Sequence, residues 1–289
     1  MYSRSFAIFV VMVSASCAIQ HSTKKDGTSM SESASCTITV GPDQDLNAVL
    51  REAPDDASVC LSPGVFRGEV VIRRRVRLLA PQGAVVMTAR GSAVLHAYGD
   101  ADVYAEGIVF RRGGGGVGEP GLVSVAERAR VTLRNVTLEE GLSDAGGPGA
   151  IRVGGREVVL ERCLVRRNRG NHAEAILVAH PSKLVLRDTV ILGQGTDEPL
   201  INLQGSSAAL IERSTLSQPG GKALEIQGSS FGAGHAEIRA SVVNGKIGSW
   251  QGGHATEVDT LHDIAIDENG RPPGRTDVGP TPGGTIGAL

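Results

Sequence analysis

Six short segments of this chain superimpose, and one column of the alignment alternates in charge: Glu106, Arg134, Glu161, Arg187, Glu212, Arg239. The segments are VYAEGIVF (Val103–Phe110), VTLRNVTL (Val131–Leu138), VVLERCLV (Val158–Val165), LVLRDTVI (Leu184–Ile191), ALIERSTL (Ala209–Leu216) and AEIRASVV (Ala236–Val243), recurring every 25–28 residues. A period in the twenties marks a solenoid, in which each repeat buries its apolar face against its neighbours. Stacked parallel strands lie ~4.8 Å apart, so a column of one sign would repel itself, whereas an alternating column attracts. The column therefore predicts that the segments stack in register as a ladder of structural charges.

Each rung from Leu122 onward carries a second strand before the motif: Leu122–Val125, Ala150–Val153, Ala175–Val178, Leu200–Leu203 and Ala223–Ile226. Alternation points Val123/Val125, Ile151/Val153, Ile176/Val178, Ile201/Leu203 and Leu224/Ile226 inward, and Ser124, Arg152, Leu177, Asn202 and Glu225 outward. A two-residue corner (Glu161-Arg162, Arg187-Asp188, Glu212-Arg213) interrupts the alternation inside the motif, and an inward column of Ile108, Val136, Cys163, Thr189, Ser214 and Ser241 follows it. Cys163 is expected there as a buried small residue and not a nucleophile. An outward apolar stripe (Tyr104, Thr132, Val159, Val185, Leu210) fits either a partner surface or a face covered by neighbouring loops. Ahead of the repeats, Leu46, Val49 and Leu50 in Asp45–Ala53 recur at helical spacing, as in a helix that covers the open end of a solenoid. Trp250 is expected to close the other end, where an irregular closure begins at about residue 249.

The first 18 residues read as a targeting segment. Arg4 precedes the apolar run Phe6–Val13, followed by the small residues Ser14-Ala15-Ser16 and then Cys17. Cys17 makes the segment look like a bacterial lipoprotein signal, with that cysteine as the lipidation site; plain secretion is the alternative. Residues 19–35 are polar and aperiodic, a flexible tether. The expected location is extracytoplasmic, with membrane attachment through the lipid anchor alone. Cys36 opens the first strand and Cys60 lies in the next, so they can face each other across adjacent rungs; whether they are bonded is left open. A net charge of −2 gives no reason to expect nucleic acid as a partner, and aromatic residues at 3% suit stacking on sugars or bases poorly.

The run from Thr37 to Val86, with its strand, capping helix, Pro63-Gly64-Val65-Phe66 turn and Gly68-to-Ile72 step, resembles the opening of right-handed parallel β-helix proteins of the pectin lyase-like superfamily. The tail from Asp267 (DENGRPPGRTDVGP) is similar to the closing segment of bacterial secreted β-helix domains, so the resemblance spans about residues 37–280. It implies an all-β, single-stranded right-handed parallel β-helix of about nine rungs over residues 36–289, with a short N-terminal capping helix. It does not imply an activity, because this superfold hosts lyases, hydrolases, esterases and non-catalytic binding domains.

Catalytic patterns of that superfamily are not found. No Asn-Thr-Asp or Asp-Asp cluster lies on a rung face, and the strand motifs of pectin methylesterase-like enzymes, with two aspartates, a glutamine and an arginine, do not occur. Long connections, Arg111–Gly121, Glu139–Gly149, Arg166–Glu174 and Gly193–Pro199, follow the same strand of their rungs and should rise on one side. The densest polar set there is Arg166, Arg167, Asn168, Arg169, His172 and Glu174, flanked by Arg152 and His180. Arg166, Arg167, Arg169 and His172 are the candidate catalytic residues of a lyase acting on acidic glycans; Arg152, Asn168, Glu174, His180, Asn202 and Glu225 are the candidate ligand contacts. The same loop also suits a plain solvated, basic surface. No metal or cofactor is expected, with Ca²⁺ entering only in the lyase case. The leading expectation is a tethered domain that binds extracellular polysaccharide or a cell-surface protein without catalysis, in an oligomeric state the sequence leaves unknown.

Overall fold

The computed structural model describes residues 35–89, 91–115, 121–143, 146–179, 181–194, 196–230, 232–262 and 264. Cys17 and its signal segment, the tether up to residue 34, His180 and the tail from Asp267 lie outside the described residues.

The chain coils through about 8 turns of parallel strands, against the roughly nine expected. Three faces run the length of the coil. Ala57–Leu61, Arg130–Arg134, Glu157–Glu161, Lys183–Arg187, Ala208–Glu212 and His235–Arg239 lie on the first. Thr137–Glu139, Leu164–Arg166 and Val190–Leu192 lie on the second, and Val123–Ala126, Ile151–Gly154, Ile176–Val178 and Ile201–Gln204 on the third. Longer strands such as Asp102–Arg111 and Thr215–Gln227 pass from one face to the next. Every face is a parallel ladder in which each residue sits over its counterpart one repeat away.

The expected columns are present. Glu106, Arg134, Glu161, Arg187, Glu212 and Arg239 pair in that order. Arg187 reaches both neighbours, at 3.4 Å to Glu161 and 3.1 Å to Glu212. A second alternating column on the same face, Asp102, Arg130, Glu157, Lys183, also stacks in register, and Glu157 meets Arg130 and Lys183 at 3.2 Å each. The apolar stripe runs between these two ladders. Val185 in it is buried, whereas Tyr104, Val159 and Leu210 are partly exposed.

At the corner between the first and second faces, Asn135, Arg162, Asp188, Arg213 and Ala240 take left-handed backbone angles (φ 46–53°). This turns the chain without a loop, but it removes the next N–H from the strand ladder. Side chains in the inward column then supply acceptors: Cys163 N–H donates to Thr189 Oγ1 (3.3 Å), Thr189 N–H to Ser214 Oγ (3.2 Å) and Ser214 N–H to Ser241 Oγ (3.1 Å). Buried polar groups are tolerated when so paired, and here they continue the stack through the corner. Cys163 is fully buried in this column, and burial pushes its thiol up to about 12, so it carries no thiolate near neutral pH.

The inward third-face residues from Val123 to Ile226 are at most 1% exposed and form one continuous core with the other two faces. The capping helix spans Leu46–Glu52, with Asp45 accepting from Ala48 N–H (3.1 Å) at its N-cap and Leu46 and Leu50 buried against the first rung. A disulfide joins Cys36 to Cys60, with Cα atoms 5.6 Å apart. At the other end, stacking runs further than expected: His254–Val258 and Leu261–His262 add strands beyond residue 249. Trp250 accordingly ends a strand, 48% exposed, and does not close the core.

Arg187→Glu would set three carboxylates on consecutive rungs in place of two attractions. Part-exposed pairs of this kind are worth ~0.2–1 kcal/mol each, so the reversal should cost about 1–2 kcal/mol. That corresponds to a fall in Tm of about 2–8 °C in a domain this size. Thermal denaturation followed by circular dichroism checks it; an unchanged Tm would mean that the column makes no net contribution.

Candidate functional site

The connections that leave the second face stack on one another as the strands do. Gly114 bridges Leu142, Leu142 bridges Arg169, and Pro148 bridges Ala173, all in parallel register. Such close packing of irregular chain needs glycine: a Cβ on Gly141 would lie 2.0 Å from the Gly149 carbonyl oxygen, and one on Gly149 would lie 2.4 Å from the Arg169 nitrogen. The loops therefore form a pre-built wall.

Where strands of the second face end, Arg111 pairs with Glu139 and Glu139 with Arg166. Glu139 is only 2% exposed. It accepts from Arg111 Nε (2.7 Å) and from Arg166 Nε (2.9 Å). Burial works to raise its pKa, yet the hydrogen bonds from Arg111 and Arg166 outweigh burial and hold it below the usual carboxylate range. Arg166 is thereby committed to a structural ion pair, which removes it from the candidate catalytic set.

One residue further on, Arg112, Glu140 and Arg167 all adopt left-handed angles (φ 51°, 60° and 56°), leaving the strand and projecting from its end. Arg112 Nε donates to Glu140 at 2.9 Å, while Arg167 has no hydrogen-bond or ion-pair partner among the described residues. Asn168 pins the next turn: its Oδ1 accepts from Gly141 N–H (2.8 Å) and its Nδ2 donates to the Leu138 carbonyl (3.0 Å). Asn168 is buried and fully engaged, so it presents Arg167 and Arg169 on either side and is not itself a ligand contact. Arg169 Nε donates to Gln194 Oε1 (3.1 Å). Together Thr88, Arg112, Glu140, Leu142, Arg167, Arg169 and Gln194 line an open groove of about 740 Å³. Among the described residues the lining carries three guanidinium groups to one carboxylate, a positive balance.

The remaining candidates fall elsewhere. Glu174 is 1% exposed and holds the following loop, accepting from Gln194 N–H (2.8 Å) and Thr196 Oγ1 (2.7 Å). That structural duty corrects its expected role in ligand binding. His172 lies exposed on the far limb of its loop, and its carbonyl accepts from Asn202 Nδ2 (3.3 Å). Asn202 is itself buried, which corrects its expected place on an open face. Glu225 is bound by Lys222 (2.6 Å) and Gln227 (3.0 Å). Arg152 is exposed on the third face, away from the groove lining. His180 lies outside the described residues.

Two residues were not singled out from sequence: Glu198, whose carboxyl interacts with His172, and Lys222, which interacts with the same carboxyl. Burial holds the Glu198 carboxyl above its ordinary value; His172 and Lys222 oppose the shift, and Glu225 and Asp197 add to it. Arg112 and Glu140 were also missed as groove residues. Their signal was legible, because the doublets Arg111-Arg112, Glu139-Glu140 and Arg166-Arg167 occupy one position of the repeat and alternate in sign. No group of three or more histidine, cysteine or acidic side chains that could hold a metal ion occurs among the described residues.

No protein-family model and no curated protein matches the chain by sequence. Among solved structures, pectin methylesterase PemA from Erwinia chrysanthemi superposes with a TM-score of 0.54 at 11% identity, covering 82% of this chain and 92% of that one. That superposition shows a shared parallel β-helix fold. A mutant pectin methylesterase in complex with a hexasaccharide superposes with a TM-score of 0.47 at 10% identity, over 82% of this chain and 92% of the other. The likeness is one of fold.

Glu139→Gln would leave two arginines facing an uncharged amide. Charge-assisted hydrogen bonds contribute ~1.5–3 kcal/mol, a figure reduced here by the partial exposure of both arginines, so a loss of about 1–3 kcal/mol is expected near neutral pH. Because the folded carboxyl lies below its ordinary value of 4.5, this stability is fully present above that pH and lost as the pH falls through the folded value. Denaturant unfolding of both proteins across acid pH should show their stabilities converging; a constant gap would contradict the assignment.

Proposed function

We propose that this β-helix binds acidic polysaccharide in the groove lined by Arg112, Arg167 and Arg169, outside the cytoplasm and without catalysis. The observation that carries the reading is an exposed Arg167, without a partner among the described residues, beside two further guanidinium groups in one groove. A guanidinium recognises carboxylate or sulfate by paired, charge-assisted hydrogen bonds. A polysaccharide ligand is in line with the fold's occurrence in a pectin methylesterase. Asp102 is the one aspartate within a strand among the described residues, which supports binding over a two-aspartate esterase centre. The N-terminal pattern ending at Cys17 supports surface tethering, with simple secretion as the variant of the same reading.

Affinity electrophoresis or calorimetry against acidic and neutral polysaccharides tests it. Acidic polymers should bind and weaken with added salt, neutral glucans should not bind, and Arg167→Ala with Arg169→Ala should reduce affinity about tenfold or more. Equal binding of neutral polymers, or an unaffected double variant, would sink the proposal.

One observation favours a second reading. The raised Glu198 carboxyl beside His172 is an environment suited to acid–base chemistry, as in a lyase on acidic glycans. Incubation with uronate polymers should then release unsaturated products, detected by their ultraviolet absorbance, and His172→Ala or Glu198→Gln should abolish them. A clean result without products across uronate substrates removes this reading.

A further inference from the structure

The cations of the groove do not follow one another rung by rung. Arg112 and Arg167 occupy the same place after the second-face strand, and Glu140 occupies it on the rung between them, as the register of Arg111, Glu139 and Arg166 requires. All three side chains reach solvent: Arg112 is 67% and Glu140 32% exposed, and Arg167 is exposed. Rungs are spaced by ~4.8 Å, so positive charge recurs along the groove at about 10 Å, with a carboxylate midway. In the second line of groove residues Gly114, Leu142 and Arg169 follow one another, so the rung of Arg112 adds no second cation. Arg169 stands on the rung of Arg167, whereas the rung of Glu140 offers the apolar, partly exposed Leu142. The middle rung thus presents a hydrogen-bond acceptor beside an apolar surface, and no cation of its own.

An extended glycan lying along the solenoid axis advances by roughly one sugar per rung spacing of ~5 Å. Its anionic groups meet attraction at Arg112, whose Nε is held by Glu140 (2.9 Å) while the side chain stays largely exposed, repulsion at Glu140 and attraction again at Arg167 and Arg169. A sugar with hydroxyl or amide N–H donors and no acid fits the middle rung, where Glu140 can accept its hydrogen bond and Leu142 can meet its apolar face. Discrimination of this kind needs a repulsive element as well as an attractive one, and Glu140 supplies it.

We infer that the groove selects polysaccharides presenting one anionic group per disaccharide over polymers acidic at every sugar. The inference rests on the proposed binding of acidic polysaccharide and adds the spacing of the charge. The test compares two probes of equal length in calorimetry: an unsulfated polymer alternating a uronate with a neutral N-acetylated hexosamine, and a homopolymer of uronate. The alternating polymer should bind the wild-type chain about tenfold tighter. Glu140→Gln should reduce that ratio to about twofold or less, chiefly by tightening the homopolymer, with a melting curve to separate misfolding from altered binding. A homopolymer that binds as well as the alternating polymer, or a ratio unchanged in a folded Glu140→Gln variant, overturns the spacing while leaving acidic-polysaccharide binding intact. Binding of neither polymer overturns the function beneath it. Should the variant fail to fold, the wild-type ratio alone decides.

Discussion

Register is the constraint on which the rest of this structure depends. In a parallel stack every side chain has its neighbours one repeat away, so the same position in successive repeats becomes a column of physical contact. Apolar columns turned inward make a continuous core, and burying each Leu, Ile or Val in it is worth ~1.5–3 kcal/mol. Charged columns turned outward must alternate. They do so in Glu106 to Arg239, in Asp102 to Lys183, in Arg111–Glu139–Arg166, in Arg112–Glu140–Arg167 and in the corner pair Asp188–Arg213, the last at 2.8 Å. Individually these part-exposed pairs contribute little. Collectively they oppose a slip by one rung, because a slip sets like charges together in every column at once. Apolar burial supplies the stability, and charge supplies the register.

The same constraint explains where polar groups enter the core. The first corner is made by left-handed residues, not by loops, and it leaves backbone N–H groups facing the next rung. Thr189, Ser214 and Ser241 answer them with hydroxyls, each of which also donates to a carbonyl of its own rung at 2.7–2.9 Å. A buried, unpaired N–H would cost about as much as a lost hydrogen bond, so the hydroxyl column serves packing and polar satisfaction together.

The proposed binding groove sits on the one part of each rung that the stacking rule leaves variable. The loops after the second face differ in length, yet they bridge one another in parallel where glycines allow close approach. Those bridges set Arg112, Arg167 and Arg169 in the register of the rungs below. In the proposed reading, a ladder used elsewhere on the coil to hold register becomes, at its exposed end, a ruler for charge on a bound polymer. The step from structure to the proposed recognition needs only that Glu139 be buried against its two part-exposed arginines while the next residues point outward.

The parallel β-helix, its inward columns, the short helix within Asp45–Ala53 and the in-register ladder from Glu106 to Arg239 follow from sequence alone, because each is periodic and periodicity survives without coordinates. The candidate site is legible only in part. The loop Arg166–Glu174 is visible as a polar cluster, but adjacency in sequence says nothing about which side chains face the same way. Folding divides them: Arg166, Asn168 and Glu174 turn to structural partners, Arg167 and Arg169 remain at the groove, and His172 goes to the far limb. The groove also draws in Arg112 and Glu140 from earlier rungs, roughly two and one repeats away along the chain. Those assignments depend on burial and backbone φ at the strand ends. Both are properties of the packed coil, where a single left-handed residue decides whether an arginine meets a buried carboxylate or the solvent.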